Sequence, residues 1–258
     1  MIPGENERND ILKLNCDLGE GFGIYRIGDD NKIMPYIDMA NLACGFHASD
    51  PTHMLQSVRL AKTYGVEIGA HPSYPDLQGF GRRVMQMSPQ EVEAMLLYQI
   101  GALDAMCRAE GTKVVYVKPH GALYNEMMRD LALFETVVRT LSLYENPLPL
   151  VLLSLPDTSK YEAIAEKYGI SLRYELFADR NYTDEGRLVL RSETNAVIAD
   201  IEEVAARTRM LLKEGVIESV GGKRLHLKAD TLCVHSDTPT AQALVMTLRD
   251  IIDAYRAG

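Results

Sequence analysis

The sequence predicts an α/β protein organised around a parallel sheet, either open or closed into a barrel. Three observations carry this. Short apolar runs recur along the chain, helix-length segments separate them, and polar residues gather where the runs end. Strands alternating with helices pack as βαβ units, and such units pair their strands in parallel.

The runs are ILKLNCDL (11–18), MANLAC (39–44), VEIGA (66–70), KVVYVKP (113–119), LPLVLLS (148–154), SLRYELF (171–177) and TLCVHSD (231–237). They are short, mostly rich in Leu or β-branched residues, and read as buried strands. Matching to that template gives about seven strands.

The intervening segments carry helix start and stop signals. Asp50-Pro51 and Thr238-Pro239 each offer a cap followed by proline at the first helical position. Ser88-Pro89-Gln90-Glu91 and Asp200-Ile201-Glu202-Glu203 read as capping boxes. Gly65, Gly111, Gly169 and Gly215 follow helical patterns and can take the left-handed turn that ends a helix. Two segments break the rhythm, 186–194 (GRLVLRSET) and 216–229 (VIESVGGKRLHLKA). Both read as small hairpin elaborations, the second turning at Gly221-Gly222.

Composition excludes several classes. The 258 residues are 47% apolar, enough for one large domain over 11–258. Residues 1–10, MIPGENERND, are polar and lack signal-peptide regions; they read as a flexible extension. Net charge is -9 and the 27 basic residues are scattered, which argues against nucleic acid or an anionic membrane as partner. No apolar run is long enough to span a bilayer. The four cysteines form no C-x-x-C and read as reduced thiols of a cytoplasmic protein.

The polar residues at the run ends form a pattern. Asn15, Asp17 and Glu20 follow the first run, His47 and Asp50 the second, and His71, Asp76 and Arg82 the third. Lys118, His120 and Asn125 lie in VKPHGALYN; Glu175, Asp179 and Arg180 in ELFADRNY; His235 and Asp237 in CVHSDTP. Carboxyl ends of parallel strands share one edge, so these residues are expected to converge. Asp50 doubles as a helix cap, His53 reads as surface, and His226 falls in a hairpin. A single histidine among His47, His71 and His120 would fit a hydrogen-bonded core residue; three at equivalent strand ends favour a function.

The inventory is Asp, Glu, His and Lys. There is no G-x-S-x-G, and Cys16 and Cys44 have no activating neighbour in sequence, which favours acid-base hydrolysis by water. Asp17, His47 and His71 could instead hold a metal, although H-E-x-x-H is absent. No Walker loop is present; GVIESVGGKR comes nearest, with the wrong glycine spacing and Arg where Ser or Thr is needed.

Six blocks, LNCDLGEGFG, NLACGFHASDP, GAHPSYPDLQGFGRR, VKPHGALYN, FADRNYTDEGRLVLRS and CVHSDTP, together resemble the lactam utilization family, the A subunits of 5-oxoprolinase. They occur in the family's order over residues 12–239. Ser49 and Ser236 stand where the family commonly has glycine. The resemblance implies a seven-stranded parallel β/α barrel of the glycoside hydrolase and deacetylase type. It also implies ATP-dependent opening of 5-oxo-L-proline to L-glutamate, with ATP as co-substrate (its Mg accompanying it) and subunits B and C as partners. Copy number is left open, with a homo-oligomer allowed. On the matched motifs, Asp17 or His71 would orient or deprotonate water, while Lys118 and His120 would stabilise negative charge. Arg82 or Arg180 would hold a carboxylate or phosphate, and Asn15, Glu20, His47, Asn125 and Asp237 would complete the substrate-binding set. Two other readings stay open: a stand-alone metal-dependent amidohydrolase or deacetylase, and a non-catalytic lactam-binding subunit.

Overall fold

The structure, a computed structural model, describes residues 12–191, 193–235 and 240–257. The element order is β1 (Lys13–Leu18), α1 (Asp30–Ile33), a 3-10 turn at Met34–Tyr36, β2 (Met39–Ala43), α2 (Pro51–Tyr64), β3 (Glu67–His71) and α3 (Pro89–Ala109). Then follow β4 (Val114–Val117), α4 (Gly121–Met127), α5 (Leu131–Leu141), β5 (Leu150–Leu153), α6 (Ser159–Lys167) and β6 (Leu172–Phe177). The chain continues with α7 (Ile201–Glu214), β7 (Val216–Glu218), β8 (Arg224–His226), β9 (Thr231–Val234) and α8 (Ala241–Ala257).

Strands β1 to β6 and β9 close into a parallel barrel, with β9 pairing both β6 and β1. These are the seven runs expected to be strands. The hairpin expected over 216–229 is present as β7 and β8, antiparallel and outside the barrel. The hairpin arm expected in 186–194 is present in part. Residues 187–189 form one arm of a small antiparallel turn, Tyr182 bridging Leu188 with Thr183 and Val189 N–H donating to the Arg187 and Asn181 carbonyls, and no regular strand forms there.

The caps form where expected, although at Asp200 only the acceptor half of the expected box is present. Asp50 accepts from the backbone N–H of Thr52 and His53, Ser88 and Glu91 form the full box, and Asp200 accepts from Glu202 and Glu203. Gly65 and Gly215 end α2 and α7 in the left-handed region. The start signal at Thr238-Pro239 lies outside the described residues.

Strand alternation decides what fills the barrel. On β1, Leu14, Cys16 and Leu18 belong to the large apolar core. Lys13, Asn15 and Asp17 take the other face, because successive side chains point to opposite sides. The same period puts Asn41, Gly69, Tyr116, Glu175 and Cys233 on the inner face. At the amino-terminal end Glu67 pairs with both Lys13 and Arg173. In the middle layer Asn41 donates to Asn15 Oδ1 at 2.8 Å, and Tyr116 donates to Asn41 Oδ1 at 2.7 Å. Gly69 makes room for that tyrosine: a Cβ there would lie 2.0 Å from the ring.

Candidate active site at the carboxyl-terminal mouth

Above that layer the inner face becomes ionisable. Asp17 ends β1, His71 ends β3, Lys118 and His120 follow β4, and Glu175 lies on β6. Lys118 Nζ sits 3.0 Å from Asp17 Oδ1 and 2.8 Å from Glu175 Oε1. Cys233 Sγ is 3.2 Å away, and Tyr124, from α4, donates to Glu175 Oε2 at 2.9 Å. Burial alone would depress Lys118, but Asp17, Cys233 and Glu175 outweigh it and hold the ammonium well above its usual range. Burial would raise Asp17; the charges of His71 and Lys118 outweigh it and keep the carboxyl well below its usual range. Burial pushes the Cys233 thiol well up, which makes it a poor nucleophile.

The histidines pack as a unit. His71 Nδ1 donates to the Lys118 carbonyl at 2.7 Å, and its Nε2 faces Asp17 Oδ2 at 3.3 Å and His120 Nδ1 at 2.9 Å. His120 Nε2 donates to the Phe80 carbonyl at 2.9 Å. Both outer nitrogens therefore carry protons, and the inner contact between the rings holds one more. Burial, followed by the neighbouring His71, brings His120 down to about 3. His47 stacks on His120 with ring centroids 3.7 Å apart and planes 4° apart.

The loop after β3 closes this arrangement. Gly81 has φ +64°, and its carbonyl accepts from the Ala122 N–H at 2.9 Å. A Cβ at Gly81 would meet both His120 Cδ2 and His47 Cβ at 2.8 Å. Asp76 anchors the same loop through Arg83 and the backbone N–H of Gly79. Ser49 sits at φ +75°, the left-handed region where a side chain is strained.

A cavity of about 80 Å³ opens here, lined by Asp17, Glu20, His71, Lys118 and His120 below and by Phe80, Arg82, Tyr124, Asn125, Arg180 and His235 around it. The structure thus brings together nine of the residues expected to converge: Asp17, Glu20, His71, Arg82, Lys118, His120, Asn125, Arg180 and His235. Two of the five Arg180 N–H groups donate to the carbonyls of Ala196 and Val189, at 3.0 and 2.7 Å. Burial lowers this guanidinium to about 10. Asn15 and His47 lie behind the lining; Asn15 is committed to Thr231, Asn41 and Lys118. Asp237 falls outside the described residues. Glu175, Tyr124 and Cys233 were not assigned roles from sequence; the barrel register turns Glu175 and Cys233 inward.

The metal reading can be tested on the rings. Ligand atoms of Glu20, His47, His71 and His120 lie within 4.8 Å of one another, a set that shares His47 and His71 with the expected one but not Asp17. An imidazole lone pair lies in its ring plane. One ion cannot sit in the parallel planes of His47 and His120 together, so this set does not fit a shared ion as placed. The other cluster, Asp17, Cys233 and His235, has the Lys118 ammonium against its thiol.

A closed β/α barrel with an acid-base cluster in its carboxyl-terminal mouth defines the class of protein. The chain belongs to the LamB/YcsF family, whose model matches residues 12–257. It is 52% identical over 240 residues to the 5-oxoprolinase A subunit of Chromohalobacter salexigens, covering 93% of this chain and 96% of that one. It is 48% identical over 247 residues to the protein of that name from Vibrio parahaemolyticus, covering 96% and 97%. Among solved structures it is similar to the lactam utilization protein from Thermus thermophilus, with TM-score 0.87, 42% identity, and 95% and 96% of the two chains covered. No helix of the described residues is long and apolar enough to cross a membrane.

Proposed function

We propose that the chain is one component of an ATP-dependent 5-oxoprolinase that opens the lactam of 5-oxo-L-proline to L-glutamate, acting with subunits B and C. The relatives named as 5-oxoprolinase A subunits support the assembly and the substrate. The observation that carries the chemistry is the convergence of Asp17, His71, Lys118 and His120 on one cavity.

Ring opening requires water at the carbonyl carbon and positive charge at the carbonyl oxygen. Lys118, kept charged, supplies the latter. Asp17, kept ionised, orients the water beside His71 and His120. Arg82 and Asn125 on the outer wall suit the substrate carboxylate, since a guanidinium can bind it bidentately. A five-membered lactam is a stable amide, and phosphorylation of its oxygen makes a better electrophile. ATP, with its Mg, therefore enters as co-substrate of the assembly. This chain has no Walker loop to cradle it.

The test is the chain reconstituted with subunits B and C, measuring glutamate and phosphate. Asp17→Asn and His120→Ala are each expected to lower turnover by about 10²-fold or more. Wild-type ATP-coupled rates in both variants would remove these residues from the chemistry. Turnover by the chain alone without ATP would favour the stand-alone amidohydrolase. Lactam binding with unchanged turnover in every site variant would favour the non-catalytic role.

A further inference from the structure

We propose that Glu20 is held as a neutral carboxylic acid by His47 and donates its proton to the ring nitrogen as the lactam opens. The catalytic half of this rests on the lactam-opening reading above; the protonation half does not.

The argument follows proton directions outward from fixed acceptors. The Ser73 hydroxyl donates to the Tyr74 carbonyl at 2.9 Å. A hydroxyl has one proton, so Ser73 Oγ must accept in its 3.0 Å contact with His47 Nδ1. His47 Nδ1 therefore bears hydrogen. Ser73 is itself fixed, because Gln99 accepts from its N–H and donates to its carbonyl, both at 2.9 Å.

The other nitrogen, His47 Nε2, lies 3.3 Å from Glu20 Oε1. Two lone pairs facing each other in a buried site would repel, so the contact holds a proton. It belongs either to a cationic His47 or to a carboxylic acid. His47 is fully buried, stacked face to face on His120, with the edge of His71 5.5 Å away between centroids. A second cation packed on this cluster is costly. Burial, then the neighbouring His120 and His71, also move His47 well below its usual range. The proton accordingly resides on Glu20.

Glu20 reaches the cavity on the same side as His120, whose Nδ1 is 3.9 Å from Glu20 Oε1. Lactam opening needs such a donor, because an amide nitrogen leaves poorly as an anion. The step balances. In the phosphorylated lactam, water adds across the C=N bond: its oxygen bonds to carbon, one of its protons passes to the Asp17 carboxylate, and Glu20 protonates the nitrogen. The C–N bond then breaks as the added hydroxyl gives its proton to nitrogen, leaving an acyl phosphate that a second water cleaves to glutamate and phosphate. The proton held on Asp17 restores Glu20.

The test uses Glu20→Gln, whose amide can still donate to His47 Nε2 and so preserve packing. Infrared difference spectra of the full chain, wild type minus E20Q, should show a protonated-carboxyl stretch. In the reconstituted complex E20Q should lose about 10²–10⁴-fold in kcat with KM nearly unchanged. Glu20→Asp, which restores a carboxyl, should recover part of the loss. The alkaline limb of the wild-type profile, where the acid deprotonates against His47, His120, Asp17, His71, Lys118 and Arg82, should vanish in E20Q. An ionised-carboxylate band alone, or a kcat loss below about tenfold, overturns the proposal. A protonated band with no wild-type lactam turnover overturns the catalytic role together with the functional reading, and leaves the protonation standing.

Discussion

Replacing Lys118 by Met keeps most of the stem and deletes a cation that two buried carboxylates share. Its side chain is 3% exposed, that of Glu175 0% and that of Asp17 14%. Breaking a buried ion pair by removing one partner costs about 3–5 kcal/mol, because the remaining charge is uncompensated. For a chain of this size each kcal/mol moves Tm by about 2–4 °C, so a fall of roughly 6–20 °C is expected. Glu175→Gln should restore part of it, since the amide needs no counter-charge and its oxygen can still accept from Tyr124. In a double-mutant cycle the cost of Lys118→Met should be smaller in the Glu175→Gln background by about 0.5–3 kcal/mol. Urea unfolding followed by circular dichroism measures all four corners. Additivity within about 0.5 kcal/mol would refute a shared charge, whatever the single variants do. Asp17 retains His71, so the double variant should still fold.

Gly81→Ala should leave circular dichroism native yet cut reconstituted turnover by about 10²-fold, because a Cβ there displaces His120 and His47 together. Gly69→Ala should fail to fold or melt far lower in thermal scans, since the Tyr116 ring occupies the space and is hydrogen-bonded to Asn41. Ser49→Gly should raise Tm or leave it unchanged: relief of a left-handed residue, about 1–2 kcal/mol, exceeds the entropy that glycine adds, about 0.4–1 kcal/mol. Hydrogen bonds from Arg83, outweighing desolvation, bring Asp76 down to about 2. A lowered folded-state value means this carboxylate's stabilisation is complete above the ordinary Asp range and lost as pH falls through about 2. Pepsin cleavage of the loop after β3 should therefore rise as pH drops from about 4 towards 2 in the wild type, and should be raised with little further pH dependence in Asp76→Asn.

Much of the architecture was legible because it is written in local chemistry. A capping carboxylate at Asp50, the Ser88–Glu91 box and the glycines at 65 and 215 need no tertiary information to act. The convergence of Asp17, His71, Lys118 and His120 was legible for a related reason: each follows a strand, and parallel strands end on one side. Arg180 was legible as a lining residue, but its tethers were not: it donates to carbonyls nine and sixteen residues further on, through a loop whose path no periodicity encodes. Within 186–194 the arm at 187–189 was legible, but its partner, the stretch 181–183 just after the barrel strand, was not.

Glu175 shows where closure supplies what alternation cannot. Leu172–Phe177 alternates in sequence, but a strand has two faces, and nothing local says which one looks inward. The choice follows from pairing on both edges: β6 registers Glu175 against Leu153 on one side and Thr231 on the other. Thr231 is in turn opposite Lys13, two residues along the inner face from Asn15 and four from Asp17. Once the first and last barrel strands meet in that register, Lys118 has both its carboxylates. A shift of one residue between β6 and β9 would turn Glu175 towards the helices and leave the ammonium with Asp17 alone. The closure of β9 on β1 and β6 is thus a condition of the site's charge balance, and the variants at Lys118 and Glu175 probe both at once.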